Sequence, residues 1–344
     1  MSSSKRHKYT AIDLFSGCGG LSVGLSNAGF KVLAAVESEP LACATYKLNH
    51  PSVQLIERDI TTIRPSFLRK RLGLEIGELT LLAGCPPCQG FSTLRTLNGG
   101  RTINEPMNDL LFEFLKFVKV FLPQAIMMEN VPGLASDTRL ERFKKTIAKL
   151  GYESEARVLD AADFGTPQRR KRMVLIALRG KAPAFALKTK RRKTVKAAIA
   201  SLPVPHKSDD PLHSYAVNRS AHVLALIRRI PHDGGGRTDL PEDEQLDCHK
   251  RCDGFRDIYG RMSWRGPAPT ITGGCINPSK GRFLHPTQDR AITLREAALL
   301  QGFPRDYRFD LSRGKYPCAQ LIGNAFPPKF AELHARTIRD VIVS

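Results

Sequence analysis

Short apolar runs alternate with segments of helical period over the first half of the chain. Residues 9–15, 31–36, 53–57, 79–83 and 125–129 are near-continuous apolar runs, the pattern of strands buried on both faces. Between them, residues 21–28, 40–49 and 110–121 space their apolar positions as helices do. This alternation predicts an α/β fold built on a doubly wound parallel sheet. Residues 153–159 and 172–178 are two further strand-like runs. The polar, turn-rich stretch between them suits an antiparallel edge pair.

After Gly180 the character changes. Residues 181–196 are dense in Lys and Arg, residues 201–211 carry three prolines, and residues 232–236 include three consecutive glycines. Regular periodicity is weak as far as about residue 285, which predicts a second, smaller, loop-rich domain starting near Arg179. Helical spacing returns at residues 293–300 and 328–343.

Composition narrows the partners. The chain has 344 residues, enough for two domains, and its 42% apolar and 25% charged content is ordinary for a globular protein. Its 53 Lys and Arg against 33 Asp and Glu leave a net charge of +20, which favours a polyanionic partner over a merely basic surface. No run approaches the ~18 apolar residues of a membrane span, and the start of the chain reads as a basic tail without the apolar core of a secretory signal. Eight scattered cysteines fit a reducing compartment, so a cytoplasmic location is expected.

The candidate chemistry begins at Gly84-Cys85-Pro86-Pro87-Cys88-Gln89-Gly90-Phe91-Ser92, directly after a strand-like run. Two prolines hold the following thiol at a defined angle. Taken alone, nucleophile, metal ligand and redox pair fit this segment equally. Asp13-Leu14-Phe15-Ser16-Gly17-Cys18-Gly19-Gly20 joins the first strand to the first helix, where glycines let backbone approach a ligand. Glu37 ends the second run, at the distance where an acid holds ribose hydroxyls, and Asp59 ends the third. Three acidic strand ends mark an adenosine-containing cofactor, although a glycine loop alone fits a nicotinamide enzyme as well. Glu129 follows an apolar run, so its carboxylate is expected to be partly desolvated and suited to sharing a proton. In a doubly wound sheet the fourth and fifth strands lie close, which lets Glu129 and Cys88 face one pocket. Alternation along the strand after Gln168-Arg169-Arg170-Lys171-Arg172 is expected to send Arg170 and Arg172 to one face; a solvated basic patch is the plainer alternative.

In order and content these segments resemble the cytosine-C5 DNA methyltransferases. The likeness covers the first ~180 residues and returns at Pro267-Ala268-Pro269-Thr270-Ile271-Thr272, at residues 290–304 and at Gln320-Leu321-Ile322-Gly323-Asn324-Ala325-Phe326-Pro327-Pro328. The resemblance implies a Rossmann-like fold dependent on S-adenosylmethionine. Residues 1–178 would form the catalytic domain and 179–317 a target-recognition domain with its hinge, while 318–344 would return to the catalytic domain. It makes Cys88 the nucleophile, Glu129 the group that engages the base N3 and amine, Arg172 the group that reaches O2, and Arg170 its support. Phe15, Gly17, Gly19, Gly20, Glu37, Asp59, Ile60, Pro87, Leu110 and Asn324 would hold the cofactor.

A loop over residues 90–108 would close on DNA through Ser92, Arg95 and Arg101. It departs from the family at Glu105-Pro106-Met107-Asn108, where an arginine is often the third residue. Near Thr270, the candidates for reading bases are Arg261, Trp264 and Arg265. Cys248, His249 and Cys252 lack a second convincing ligand pair, so no metal is expected. The function implied is a DNA (cytosine-5-)-methyltransferase acting as a monomer on a flipped base in double-stranded DNA. Its compact length resembles bacterial enzymes of the restriction-modification or orphan type, which implies pairing with a restriction endonuclease. A tRNA cytosine methyltransferase and a catalytically silent DNA-binding homologue are the alternatives.

Overall fold

A computed structural model describes residues 8–87, 110–215, 219–241 and 257–344. Seven strands form one sheet: β1 Thr10–Leu14, β2 Lys31–Glu37, β3 Gln54–Glu57, β4 Leu81–Gly84, β5 Ala125–Asn130, β6 Tyr152–Asp160 and β7 Lys171–Arg179. Their spatial order is β3-β2-β1-β4-β5-β7-β6. The first five pair in parallel, and β7 runs antiparallel to both β5 and β6. The order reverses between β1 and β4, the crevice where open α/β sheets bind ligands. This is a doubly wound, Rossmann-like sheet with one antiparallel strand let into it.

The antiparallel pair is present, but only β6 is an edge. Residues 173–178 of β7 are all buried, whereas β6 alternates polar and apolar positions and is largely accessible. An all-apolar strand needs neighbours on both sides and cover on both faces, so β7 lies inside the sheet.

Four helices belong to the sheet region: α1 Gly20–Asn27, α2 Pro40–Asn49, α3 Pro65–Arg71 and α4 Leu110–Phe121. They are followed by α5 Thr138–Ala148. Glu39 caps α2 by accepting the Ala42 N–H at 2.6 Å, and Pro40 takes the first turn, where no backbone donor is needed. Phe114, Phe117 and Phe121 of α4 join Phe143 of α5 in the core above β4 and β5 residues. That spacing of three and four is one helix face.

The chain divides into two compact units. The first comprises Met1–Asp160, Lys171–Lys188 and Pro328–Ser344, and the second Ala161–Arg170 and Thr189–Pro327. The second contains short helices α6 Val195–Ile199 and α7 Ala221–Arg229, then α8 Leu294–Gln301 and α9 Lys315–Asn324. The last helix, α10 Pro328–Val343, belongs to the first unit and packs on α1. Among the described residues no helix is long and apolar enough to cross a membrane.

Gly24 sets the α1–α10 approach. A Cβ there would lie 2.5 Å from the Ala331 Cβ and 2.6 Å from the Pro328 carbonyl oxygen. Backbone cannot yield as a flexible side chain can, so Gly24→Val is expected to destabilise the protein by about 1–3 kcal/mol. Urea unfolding measures this, and an unchanged midpoint would show that the two helices separate at little cost.

Candidate active site

The first loop turns tightly at the carboxyl end of β1. Phe15 has φ 60, Gly17 φ 54 and Gly19 φ 94. For Phe15 this is a rarely occupied conformation, of the kind found where a loop must present backbone to a ligand. A Cβ added at Gly17 would meet nothing within 4 Å, so space lies open beside that backbone. Gly20 opens α1.

Glu37, the last residue of β2, faces this loop. Its Oε2 accepts the Gly17 N–H at 2.8 Å, and its Oε1 accepts those of Ser38 at 2.7 Å and Glu39 at 2.8 Å. Three backbone donors thus orient one carboxylate, leaving Oε2 with capacity for a hydroxyl. Asp59 follows β3 and caps a short 3₁₀ turn, its Oδ1 accepting from the Thr61 N–H and hydroxyl at 2.8 and 2.7 Å. These bonds hold the Asp59 carboxyl below the usual range. Ile60, next along, is buried. Pro87 is exposed after β4, and Leu110 is the first residue of α4.

The carboxyl ends of β4 and β5 are adjacent, with Gly84 opposite Met128. Asn130 joins them: its Nδ2 donates to the Pro86 carbonyl at 2.7 Å while its Oδ1 accepts the Val131 N–H at 2.8 Å. Beside it, Glu129 is buried and its Oε1 lies 2.8 Å from Arg172 Nε. The Pro-rich turn is therefore tied to the strand that carries a buried acid paired with a half-buried guanidinium. Asn130 was no candidate from the sequence, because its partner lies 44 residues away.

Arg170 takes a different course from Arg172. β7 starts at Lys171, so Arg170 precedes the ladder and alternation does not reach it. It is buried in the second unit, donating to the carbonyls of Ile271 at 3.1 Å and Gly323 at 2.9 Å. It is not part of a solvated patch. Neighbouring Gln168, also buried, accepts the Ile271 N–H at 2.9 Å. Asn324 ends α9 in the same unit, and its Oδ1 accepts from Gln320 at 3.0 Å.

Arg261 is corrected from a candidate base reader to a structural hub. It is 0% exposed, and its guanidinium donates to the carbonyls of Ile227, Ile230, His285 and Gln288 and to Asp289. No donor is left for a base. Arg265, by contrast, is 91% exposed, 3.8 Å from Asp233, and Trp264 is partly exposed, edge-on to His285. Asp233 Oδ1 accepts the Trp264 N–H at 2.6 Å. Cys88, Ser92, Arg95, Arg101 and the Cys248, His249 and Cys252 group lie outside the described residues, as does the departure at residues 105–108.

The arrangement fits an adenosine-bearing sulfonium cofactor in its ribose-directed carboxylate and its open glycine turn. The Pro86–Pro87 turn, tied to β5 through Asn130, stands beside an acceptor and a donor, Glu129 and Arg172.

A family model for C-5 cytosine-specific DNA methylase matches residues 9–340. The chain is 36% identical to the Type II methylase M.HgiDII of Herpetosiphon aurantiacus, covering 95% of this chain and 94% of that protein. It is 35% identical to the Type II methyltransferase M1.HphI of Haemophilus parahaemolyticus, covering 96% and 86%. Its fold is also that of the S. pombe Dnmt2 methyltransferase, with a TM-score of 0.62 at 18% identity over 97% of this chain and 99% of that one.

Behind the first loop, Asp13, one of the three acidic strand ends expected to mark the cofactor, is instead fully buried. Asp13 accepts from the Ser22 hydroxyl at 2.7 Å, and Ser22 is 2.7 Å from the Tyr46 hydroxyl, so β1, α1 and α2 share one chain of hydrogen bonds. Burial pushes the Asp13 carboxyl up to about 7; the Ser22 bond opposes this and the charge on Glu37 adds to it. The folded state therefore holds this proton more tightly than the unfolded chain. Its contribution is fully present below about pH 4 and is lost as pH rises to about 7. Asp13→Asn is expected to flatten the decline in urea midpoint between pH 5 and pH 8 relative to the parent, since other titrating groups cancel in the comparison. Parallel pH profiles would rule out a titrating Asp13.

Proposed function

Because the chain belongs to the C-5 cytosine-specific DNA methylases, and is accordingly a DNA (cytosine-5-)-methyltransferase, we propose that it methylates a flipped-out cytosine in a specific duplex sequence through a transient bond between the Cys88 sulfur and C6. The observation that carries this reading is the pairing of buried Glu129 with half-buried Arg172, fastened beside the Pro86–Pro87 turn by Asn130. Cytosine C5 is unreactive toward alkylation until a nucleophile adds at C6 and moves electron density onto C5. A thiolate suits that reversible addition.

Glu129 offers its carboxylate to N3 and the exocyclic amine of the base, offsetting the charge that builds in the ring. Arg172 orients Glu129 and reaches the O2 edge, while Arg170 stiffens the segment leading into β7 through its two carbonyl contacts. S-adenosylmethionine, when bound, supplies an electrophilic methyl group. Phe15, Gly17, Gly19, Gly20, Glu37, Asp59, Ile60, Pro87 and Leu110 would hold it, and the family likeness adds Asn324 to that set. Loss of the C5 proton then allows Cys88 to leave by elimination.

The second unit is the target-recognition region. Trp264 and Arg265 face solvent on a segment braced by Asp233, and Ser92, Arg95 and Arg101 grip the strand beside the flipped base. Flipping costs a few kcal/mol, offset by phosphate and pocket contacts. The protein works in the cytoplasm as a monomer on double-stranded DNA. Its Type II relatives favour a role beside a restriction endonuclease, in protecting DNA.

Duplex DNA bearing 5-fluorocytosine tests the central step, because fluorine blocks elimination. With cofactor present, a Cys88-dependent covalent adduct is expected, and Cys88→Ser should abolish both adduct and methyl incorporation. Glu129→Gln should lower kcat about 10²–10⁴-fold. Methyl transfer by Cys88→Ser at the parental rate would refute the covalent route.

A further inference from the structure

We propose that a groove at the outer edge of β3 binds an extended acidic peptide of a partner protein, which adds to the sheet as an eighth strand. The cavity measures about 890 Å³ and is lined by residues 54–58, 62–64, 66–68 and 70–71. Successive residues of a strand point to opposite faces, so a wall made of every residue of β3 is the strand's edge and not one of its faces. Among the described residues β3 pairs with β2 alone, which leaves that edge without a strand partner. The facing wall is one side of α3, where residues 66, 67, 70 and 71 fall one and four positions apart. A strand edge opposite a helix is the geometry in which peptides dock by strand addition.

Charge and apolar surface say what fits. Arg58, Arg64, Lys70 and Arg71 line the groove, are exposed, and form no ion pair among the described residues. The acid among them, Glu57, is already held by Lys47 at 2.6 Å. Phe67 leaves 66% of its surface accessible on the same wall. The Gln54 amide nitrogen is buried with no hydrogen-bond partner among the described residues. Acidic side chains meet the four cations, an apolar side chain covers Phe67, and peptide N–H and C=O groups complete the edge at strand spacing. Duplex DNA matches the cations but has no groups at strand pitch to pair with the edge. Asp59 and Ile60 are not among the lining residues, so the groove is separate from the cofactor side of β3.

The test uses the full chain and a fluorescein-labelled octapeptide of alternating Glu and Val, followed by fluorescence anisotropy. Saturable binding is expected. Arg64→Glu combined with Lys70→Glu should weaken it by about tenfold while leaving methyl transfer unchanged. A peptide N-methylated at alternate amides should weaken by a similar factor, which a purely electrostatic contact would not show. The proposal falls if the octapeptide does not bind, if the N-methylated peptide or the double variant binds equally well, or if duplex DNA displaces the peptide. In the first case the four cations simply protect a short edge strand against aggregation.

Discussion

The site depends on one topological constraint: β7 runs antiparallel between β5 and β6. In a parallel sheet every strand delivers its last residues to the carboxyl edge. That edge collects the Phe15 loop, Glu37, Asp59, the Pro86–Pro87 turn and Glu129 from β1 to β5 in turn. An antiparallel strand delivers its first residues to the same edge. With Asn130 opposite Met173, the start of β7 lies beside the end of β5, so Arg172 meets Glu129 although 43 residues separate them. Reversing that strand would carry the guanidinium to the opposite end of the sheet.

A pair buried in this way has an energetic cost. Two desolvated charges regain their hydration only partly through mutual attraction, so such a pair adds little net stability, whereas removing one partner leaves an uncompensated charge. The geometry of the pair is better understood as an acceptor and a donor held in fixed relation, Glu129 buried and Arg172 half-buried. Asp13 illustrates the other solution to buried acidity. With no cation against it among the described residues, burial makes it hold its proton well above the usual carboxylate range.

The sheet was legible in the sequence because parallel strands, buried on both faces, read as apolar runs, and all seven were found within two residues of their observed ends. The place of β7 was visible too, in retrospect: its six consecutive buried positions are incompatible with an edge. Cooperation across long separations was not legible. Asn130 and Pro86, or Asp13 with Tyr46, acquire meaning only once the fold brings them together. The assignment of Arg261 failed for a related reason. An arginine in a segment without periodicity looks solvated, and nothing local indicates that carbonyls from residues 227, 230, 285 and 288 converge on it.

That failure alters how the net charge should be weighed. A loop-rich unit leaves many backbone carbonyls outside ladders and helices, and each buried one needs a donor. Arginine offers five donors and no acceptor, so one side chain can serve several carbonyls at once. Arg261 does this, as do Arg170 and Arg282, the last donating to Gly234, Gly235 and Arg261 carbonyls. Arg295 joins Asp210 to the Tyr307 carbonyl in the same manner. Part of the surplus of 53 cations over 33 acids is thus internal mortar, unavailable to a polyanion. Among the described residues, exposed cations include Lys190, Arg191 and Lys193 at the entry to the second unit, together with Arg265. Formal charge pointed to the right class of partner, but among the described residues several of the cations it counts are already committed to backbone carbonyls and acids of the fold.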